Sequence, residues 1–270
     1  MAYECRKGVK EDPNQDDLLV LITSSFKLFC VTDGHGEDGH FCSDFVKQLL
    51  HKLIVLNPNF QSNIEKAFIE SFNEIDSMLS LKCENEKLFS NKSSGTTATV
   101  VILKDGFLYS ANVGDSRAIL CSQDEHENIR LIKLTKDHHP DSDIENIRIR
   151  NNGGEIRRKN RNSPLRIYSK GNSYPGLAMT RVIGDSNAKN IGIISTPEIY
   201  SKNLDANDKF LIICSDGVWE FLSNESASQI VVKNSFNMKV AARNLCEKAY
   251  FEWKSNGNST DDITCLIYNI

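Results

Sequence analysis

Aspartates in this chain fall at the ends of its apolar, β-rich runs. Asp33 follows Phe29-Cys30-Val31-Thr32 and Asp216 follows the run at 210–214, and each continues as Asp-Gly. Asp16 and Asp17 stand immediately before residues 18–22, and Asp261 and Asp262 immediately before residues 263–267. In an antiparallel sheet the end of one strand lies beside the start of its neighbour, so these four positions can share one rim. Carboxylates gathered there repel unless cations neutralise them, and hard oxygen donors without cysteine or paired histidines select Mg²⁺ or Mn²⁺ over zinc. Taken singly, each aspartate reads as turn chemistry or as a solvated strand end. Four at corresponding ends point to a metal centre. Gly34 and Gly217 permit unusual backbone angles there, and Gly34 can present its carbonyl as a further ligand.

Rival chemistries lose their footing on the same residues. Gly34-His35-Gly36-Glu37-Asp38-Gly39 fits the spacing of a dinucleotide-binding loop, but Asp33, Glu37 and Asp38 would face the pyrophosphate, and Asn57 stands where a ribose-binding acid is wanted. Asp33-x-His35 resembles the opening of binuclear metallophosphoesterases, yet the later Asn-His pairing of that class is missing. No cysteine is followed six residues on by arginine, and no G-x-x-x-x-G-K-[ST] loop exists, so neither a cysteinyl-phosphate nor a P-loop mechanism has its parts. His40, His51, His126, His138 and His139 lack ligand spacing and read as surface or packing residues.

The elements that must position the aspartates are mainly strands: 18–22, 26–32, 96–103, 107–113, 117–121, 129–134, 210–214 and 263–267. Links as short as Lys104-Asp105-Gly106 require antiparallel hairpins and meanders. Residues 40–53 place Phe41, Phe45, Leu49 and Leu53 on one helical stripe, and Ser62-x-x-Glu65 reads as a capping box for a helix carrying Phe68, Phe72, Ile75 and Leu79. A third helix is expected after Ser142-x-x-Glu145, ending at Gly153-Gly154, and a fourth over 238–253. This pattern argues for an α+β layered sandwich with two sheets inside and helices outside. Residues 155–176 show little apolar periodicity. They read as a surface flap on one domain spanning 1–270, and the basic run Arg157, Arg158, Lys159, Arg161 reads as a solvated loop rather than a polyanion patch.

Composition sets the outer bounds. The chain has 270 residues, with 36 acidic side chains against 32 Lys and Arg, and the net charge of −4 provides no basic field for nucleic acid. Apolar residues at 40% and charged ones at 25% are globular proportions. The eight cysteines contain no C-x-x-C and several sit inside apolar runs, as reduced core residues do. No apolar stretch of about 18 residues could span a bilayer. These features lead us to expect a protein of the cytoplasm or nucleus with no membrane partner.

Seven ordered motifs resemble the metal-dependent serine/threonine protein phosphatases of type 2C. They are Val31-Thr32-Asp33-Gly34-His35-Gly36, Ser94-Gly95-Thr96-Thr97-Ala98, Asn112-Val113-Gly114-Asp115-Ser116-Arg117, Gly176-Leu177-Ala178-Met179-Thr180-Arg181, Ile183-Gly184-Asp185, Ser215-Asp216-Gly217-Val218-Trp219-Glu220 and Asp261-Asp262-Ile263-Thr264. The resemblance implies a four-layer α-β-β-α sandwich of two antiparallel sheets with two Mg²⁺ or Mn²⁺ ions at one end and a weaker third. It implies Asp33 as the bridging ligand, Gly34 as a carbonyl ligand, Asp216 and Asp261 as ligands completing the site, Asp115 as a holder of the third ion, and His35 as the general acid. Asp16 keeps the charge of the family's first acidic pair, in which Gln15 replaces a frequent glutamate. Lys10 stands nearest to the family's phosphate-gripping arginine, with Arg6 and Lys7 as alternatives. Glu220 and Asp262 replace a frequent aspartate and a frequent asparagine. The implied activity is hydrolysis of phosphoserine and phosphothreonine in proteins by a metal-bridging water or hydroxide, carried out by a monomer. An inactive scaffold of the same fold is the alternative, and a phosphodiesterase or nuclease on a similar sandwich is a further one.

Overall fold

A computed structural model describes residues 1–126, 128–161, 163–257 and 259–270; Asn162, within the expected flap, lies outside the described residues. Strands and helices are labelled in chain order. One sheet has the order β1 (Ala2–Arg6), β15 (Ile263–Asn269), β14 (Asp208–Cys214), β7 (Arg117–Gln123), β8 (Ile129–Lys133). The second has the order β12 (Ile183–Gly184), β4 (Gly95–Thr96), β3 (Phe26–His35), β5 (Ala98–Lys104), β6 (Phe107–Val113), β13 (Glu198–Asn203), with β2 (Asp16–Ile22) also paired to β3. The paired strands in both sheets run antiparallel.

Alternation along the strands builds the layers. Successive side chains point to opposite faces, so a strand buried on both sides reads as a continuous apolar run. In β3, Phe29 and Val31 enter a core shared with Leu120, Leu211, Ile213 and Leu266 of the first sheet. Leu28 and Cys30 face the other way, under α1 (Gly39–Leu56) and α2 (Ile64–Glu86). In β14, Ile212 and Cys214 pack against α4 (Asp216–Trp219), α5 (Asn224–Lys233) and α6 (Met238–Asn256). The result is helices, sheet, sheet, helices. Among the described residues no helix is long and apolar enough to cross a membrane.

Three local expectations change. The buried line of α1 is Cys42, Val46, Leu50 and Ile54, one residue along from the expected stripe, and Phe41 is exposed. A wide apolar helix face has two candidate seams, and the sheet beneath takes the slimmer one while Phe45, Leu49 and Leu53 pack at its flank. The cap of α2 is Asn63, whose side chain accepts from Lys66 N at 3.0 Å, rather than Ser62. Helix α3 (Asp143–Asn151) starts after Ser142, but Ser142 makes no side-chain cap bond. Its Glu145 is instead buried, accepting from both Arg148 nitrogens (2.9 and 2.5 Å), from Thr180 Oγ1 (2.6 Å) and from Arg181 Nη2 (2.7 Å).

Residues expected to form a loose excursion fold as a third sheet, β11 (Pro175–Leu177), β10 (Leu165–Ser169), β9 (Gly154–Arg158). Its inner face is apolar: Ile156, Ile167 and Leu177 pack with Ile149, Met179, Val182 and Ile193. The strands are too short, and too interrupted by basic residues, for that period to stand out in sequence.

Glu145 ties α3 to the segment at 180–181. Burial raises its pKa, but hydrogen bonds from Arg148, Arg181 and Thr180 outweigh this and hold the carboxyl well below the usual range. A depressed folded pKa stabilises above the unfolded value of about 4.3, and that contribution is lost as pH falls through the folded value. We predict that Glu145→Gln lowers unfolding free energy by about 3 kcal/mol at pH 7. In urea titrations the gap from wild type should be constant from pH 7 to 5 and narrow below about 4; a gap that widens there contradicts the assignment.

Candidate metal centre

Ladder register brings the first two carboxylates together. Asp16 of β2 is the cross-strand partner of Asp33 of β3, an arrangement in which like charges directly opposite destabilise a sheet. The other two come from the first sheet, whose strands pair Cys214 with Cys265, so Asp216 just after β14 and Asp261 just before β15 flank one strand end. Ser215 joins the two sheets at this point. Its Oγ donates to Asp16 Oδ2 (2.7 Å) and accepts from Thr264 N (3.0 Å).

The glycines in both Asp-Gly pairs serve close approach, not unusual backbone angles, since neither Gly34 nor Gly217 has positive φ. A Cβ on Gly34 would overlap the Gly39 carbonyl and come within 2.9 Å of Gln15 O, and one on Gly217 would overlap the Asp262 carbonyl. Each glycine lets the backbone beside one aspartate press against a segment that positions another.

The electrostatic result is severe. Burial, then Asp16, Asp216, Asp261 and Asp115, push the Asp33 pKa well above the carboxylate range. Asp216 is raised in the same way by burial, Asp115 and Asp261, and stands within hydrogen-bonding reach of Asp33. Burial pushes Asp16 up to about 7 against the Ser215 and Thr264 hydrogen bonds, with Asp262 and Asp261 adding to the rise. Asp115 lies on the turn after β6 and is raised chiefly by burial, with His139 opposing. The structure therefore brings Asp16, Asp33, Asp115, Asp216 and Asp261 into mutual electrostatic range.

Among the described residues, however, no group of three or more His, Cys, Asp or Glu side chains stands in an arrangement that could hold a metal ion as it is. Two features bear on what would fit there. Asp16 Oδ1 is buried with no hydrogen-bond partner, a costly state for an ionised oxygen that a cation would relieve. Asp261 is turned onto an internal cation: Lys10 Nζ lies 3.1 Å from Asp261 Oδ1 and 2.7 Å from Asp262 Oδ2. Oxygen donors, an orphaned buried carboxylate oxygen and mutual repulsion fit a hard divalent ion. Asp33, Asp216, Asp16 and, once released from Lys10, Asp261 are the residues that would hold it, with the Gly34 carbonyl and Asp115 beside them.

The basic candidates are placed differently from a phosphate grip. Lys10 is occupied by two carboxylates. The Arg6 guanidinium lies 3.4 Å from the centroid of the Tyr250 ring, against α6, and Lys7 is exposed. Glu220 is exposed just past α4. Asp262, expected with Asp261 on the rim, accepts from Gly8 N and Gln15 N, both at 2.8 Å, and so fixes the segment from 8 to 15 that presents Asp16. Gln15 Nε2 donates to Gly36 O (2.7 Å), tying that segment to the His35 loop.

His35 has a partner that the sequence reading did not assign. Its Nε2 lies 2.5 Å from Asp185 Oδ2, and its Nδ1 is buried without a partner. Burial lowers the His35 pKa, but the charge of Asp185 and its hydrogen bond outweigh burial and leave it raised. Asp185 adopts a left-handed φ of 47°, and a Cβ on Gly95 would come within 2.8 Å of Asp185 Oδ2 and 3.2 Å of His35 Cε1. Gly95 thus leaves the space in which acid and imidazole meet. The only sequence signal was that 94–98 and 183–185 both recur as motifs, with nothing to say that they converge.

With this geometry in view, the comparisons with known proteins are direct. The family model described as Protein phosphatase 2C matches residues 12–256. A probable protein phosphatase 2C 72 from Arabidopsis thaliana is 34% identical over 258 residues, covering 90% of this chain and 76% of that protein. The serine-threonine phosphatase 2C of Toxoplasma gondii shares the fold with a TM-score of 0.88 at 23% identity, over 99% of this chain and 93% of that one. A C. elegans sex determining protein superposes with a TM-score of 0.82 at 20% identity, over 99% of this chain and 64% of its own. The chain belongs to the protein phosphatase 2C family of metal-dependent serine/threonine protein phosphatases.

Asparagine tolerates the left-handed backbone of position 185, so Asp185→Asn removes the charge with little strain. We predict that in EDTA the His35 imidazole resonance of this variant titrates at lower pH than in wild type. An unmoved midpoint would show that Asp185 does not hold the His35 proton.

Proposed function

We propose that this chain hydrolyses phosphoserine and phosphothreonine in proteins as a single catalytic domain, using two divalent ions held by Asp33, Asp216, Asp261 and the Gly34 carbonyl, with Asp16 adjoining and a weaker third ion at Asp115. The observation that carries this reading is the buried and half-buried, mutually repelling set of aspartates, which a pair of cations would neutralise. When bound, Mg²⁺ or Mn²⁺ supplies a water of lowered pKa as nucleophile and counter-charge for the phosphoryl oxygens.

The chain's own residues do the rest. Ser215 and Asp262 hold Asp16 and the segment from 8 to 15 at the rim. His35, kept protonated by Asp185, gives its proton to the departing serine or threonine alkoxide, which is too basic to leave unaided. Its Nδ1 has no protein partner and is the ring atom free to change proton occupancy as the reaction turns over. Lys10 is the reserve counter-charge of Asp261 and Asp262, and it becomes available to a phosphate once an ion takes Asp261. Eight unpaired cysteines suit a reducing compartment, the cytoplasm or nucleus.

The engagement of Lys10 with Asp261 favours one second reading, an inactive scaffold of the same fold in which the lysine has replaced the ion permanently. One assay separates the two. The enzyme reading predicts manganese-dependent turnover of a phosphothreonine peptide, lost in EDTA and in Asp33→Asn; no turnover at any Mn²⁺ concentration supports the scaffold. For His35→Ala we expect a loss of about 10²–10⁴-fold on the peptide but a smaller loss on p-nitrophenyl phosphate, whose leaving group needs less protonation. Equal losses on both substrates would remove His35 from the proton-donor role.

A further inference from the structure

The outer face of the small sheet carries two opposed like charges that are only partly compensated among the described residues. Arg157 of β9 and Arg166 of β10 are direct cross-strand partners, so two guanidiniums share one face where like charges oppose each other. Each head is steadied by a neutral carbonyl: Arg157 Nη2 donates to Asn172 O and Arg166 Nη1 to Gly176 O, both at 2.7 Å. The Arg157 guanidinium also lies over the Tyr168 ring, 3.9 Å from its centroid. The nearest acid is Glu155, 3.6 Å from Arg157 Nε, and among the described residues no carboxylate forms an ion pair with Arg166. Residues 154–177 hold six basic side chains against this one acid, in a chain whose net charge is −4.

The pair is also anchored beside the proposed site. The two carbonyls that hold it bracket Tyr174, whose hydroxyl donates to Lys92 O (2.9 Å) and lies 3.2 Å from Ser93 Oγ. Residues 93 and 94 in turn crowd Gly36, where a Cβ would overlap the Ser93 carbonyl. Gly36 follows His35. Contacts through Tyr174, Ser93 and Gly36 thus link the segment that holds the two guanidiniums to the loop that carries His35.

We propose that Arg157 and Arg166 form a subsite for an anionic side chain flanking the phosphorylated residue of a protein substrate, so that the chain selects phosphoproteins whose phosphosite sits in an acidic segment. This rests on the phosphatase reading above. Planar guanidiniums already oriented by backbone acceptors and an aromatic ring lose little freedom on taking a carboxylate or a second phosphate in bidentate fashion. The anion also relieves the repulsion between them. Of the basic run expected to be a solvated loop, Arg157 alone enters this subsite, joined by Arg166 from the neighbouring strand.

The test measures kcat/KM with Mn²⁺ on three phosphothreonine peptides of one length, flanked by neutral residues, by glutamates, or by a second phosphoserine. Wild type should prefer the anionic peptides by about tenfold, mainly through KM, and the preference should shrink as ionic strength rises. Whichever of the two is cleaved better identifies carboxylate or phosphate as the source. In R157A/R166A the ratio of anionic to neutral should fall to near one; because it is taken within one preparation, partial loss of folded protein cancels. R157K/R166K, which keeps the charge without the fork, should retain an intermediate ratio. A wild-type ratio of one, with good turnover of the neutral peptide, overturns this inference alone. A preference that survives in R157A/R166A overturns it too. No turnover of any peptide by wild type overturns the phosphatase reading and this inference with it.

Discussion

Repulsion among buried and half-buried carboxylates at the edge where the two sheets meet is the constraint around which the rest is arranged. Asp16 and Asp33 face each other across a ladder, and Asp216 adds its charge from the other sheet within hydrogen-bonding reach. No folding advantage comes from such a grouping: burial and neighbouring charge both disfavour the ionised forms, and one Asp16 oxygen has no partner at all. The apolar layers on either side must supply the stability that this edge withholds, which they do through side chains such as Phe29, Phe68 and Phe72 that are fully buried.

Every support of the site can be read as a means of holding that unfavourable grouping in place. Glycines at 34 and 217 remove the side chains that would keep the segments apart. Ser215 binds one sheet to the carboxylate of the other, and Asp262 gathers backbone amides from the segment that carries Asp16. Lys10 occupies Asp261 and Asp262 with a positive charge of the protein's own. The His35–Asp185 pair stands in a space left by Gly95, so His35 is fixed by a different strand pair from the one that sets Asp16 against Asp33.

Legibility in the sequence followed the strength of the local signal. Strands buried on both faces appear as unbroken apolar runs, and aspartates at their ends could be placed on one rim before any coordinates. The stripe Phe68, Phe72, Ile75, Leu79 of α2 is buried as expected. The seam of α1 lies one residue along from the expected stripe because both lines of that helix are apolar, and only the sheet beneath chooses between them. Asn63 displaced Ser62 as a cap for a similar reason, since both can serve and the local chain path decides. Strand β1 reads as polar because three of its five residues are exposed, and the small sheet is too short for a period to register. Asp185 is 150 positions from His35, a pairing that no spacing rule reaches.

In the proposed reading the aspartate edge destabilises the protein until a divalent ion neutralises it. Thermal unfolding of wild type and Asp33→Asn, each in EDTA and in excess Mn²⁺, tests this without reference to turnover. Asp33→Asn is expected to melt higher than wild type in EDTA, because one of the repelling charges is gone. Mn²⁺ at 100 times its dissociation constant is expected to stabilise wild type by about 2.7 kcal/mol and the variant by far less. A variant that is less stable than wild type in EDTA, or a wild type indifferent to Mn²⁺, would contradict this reading.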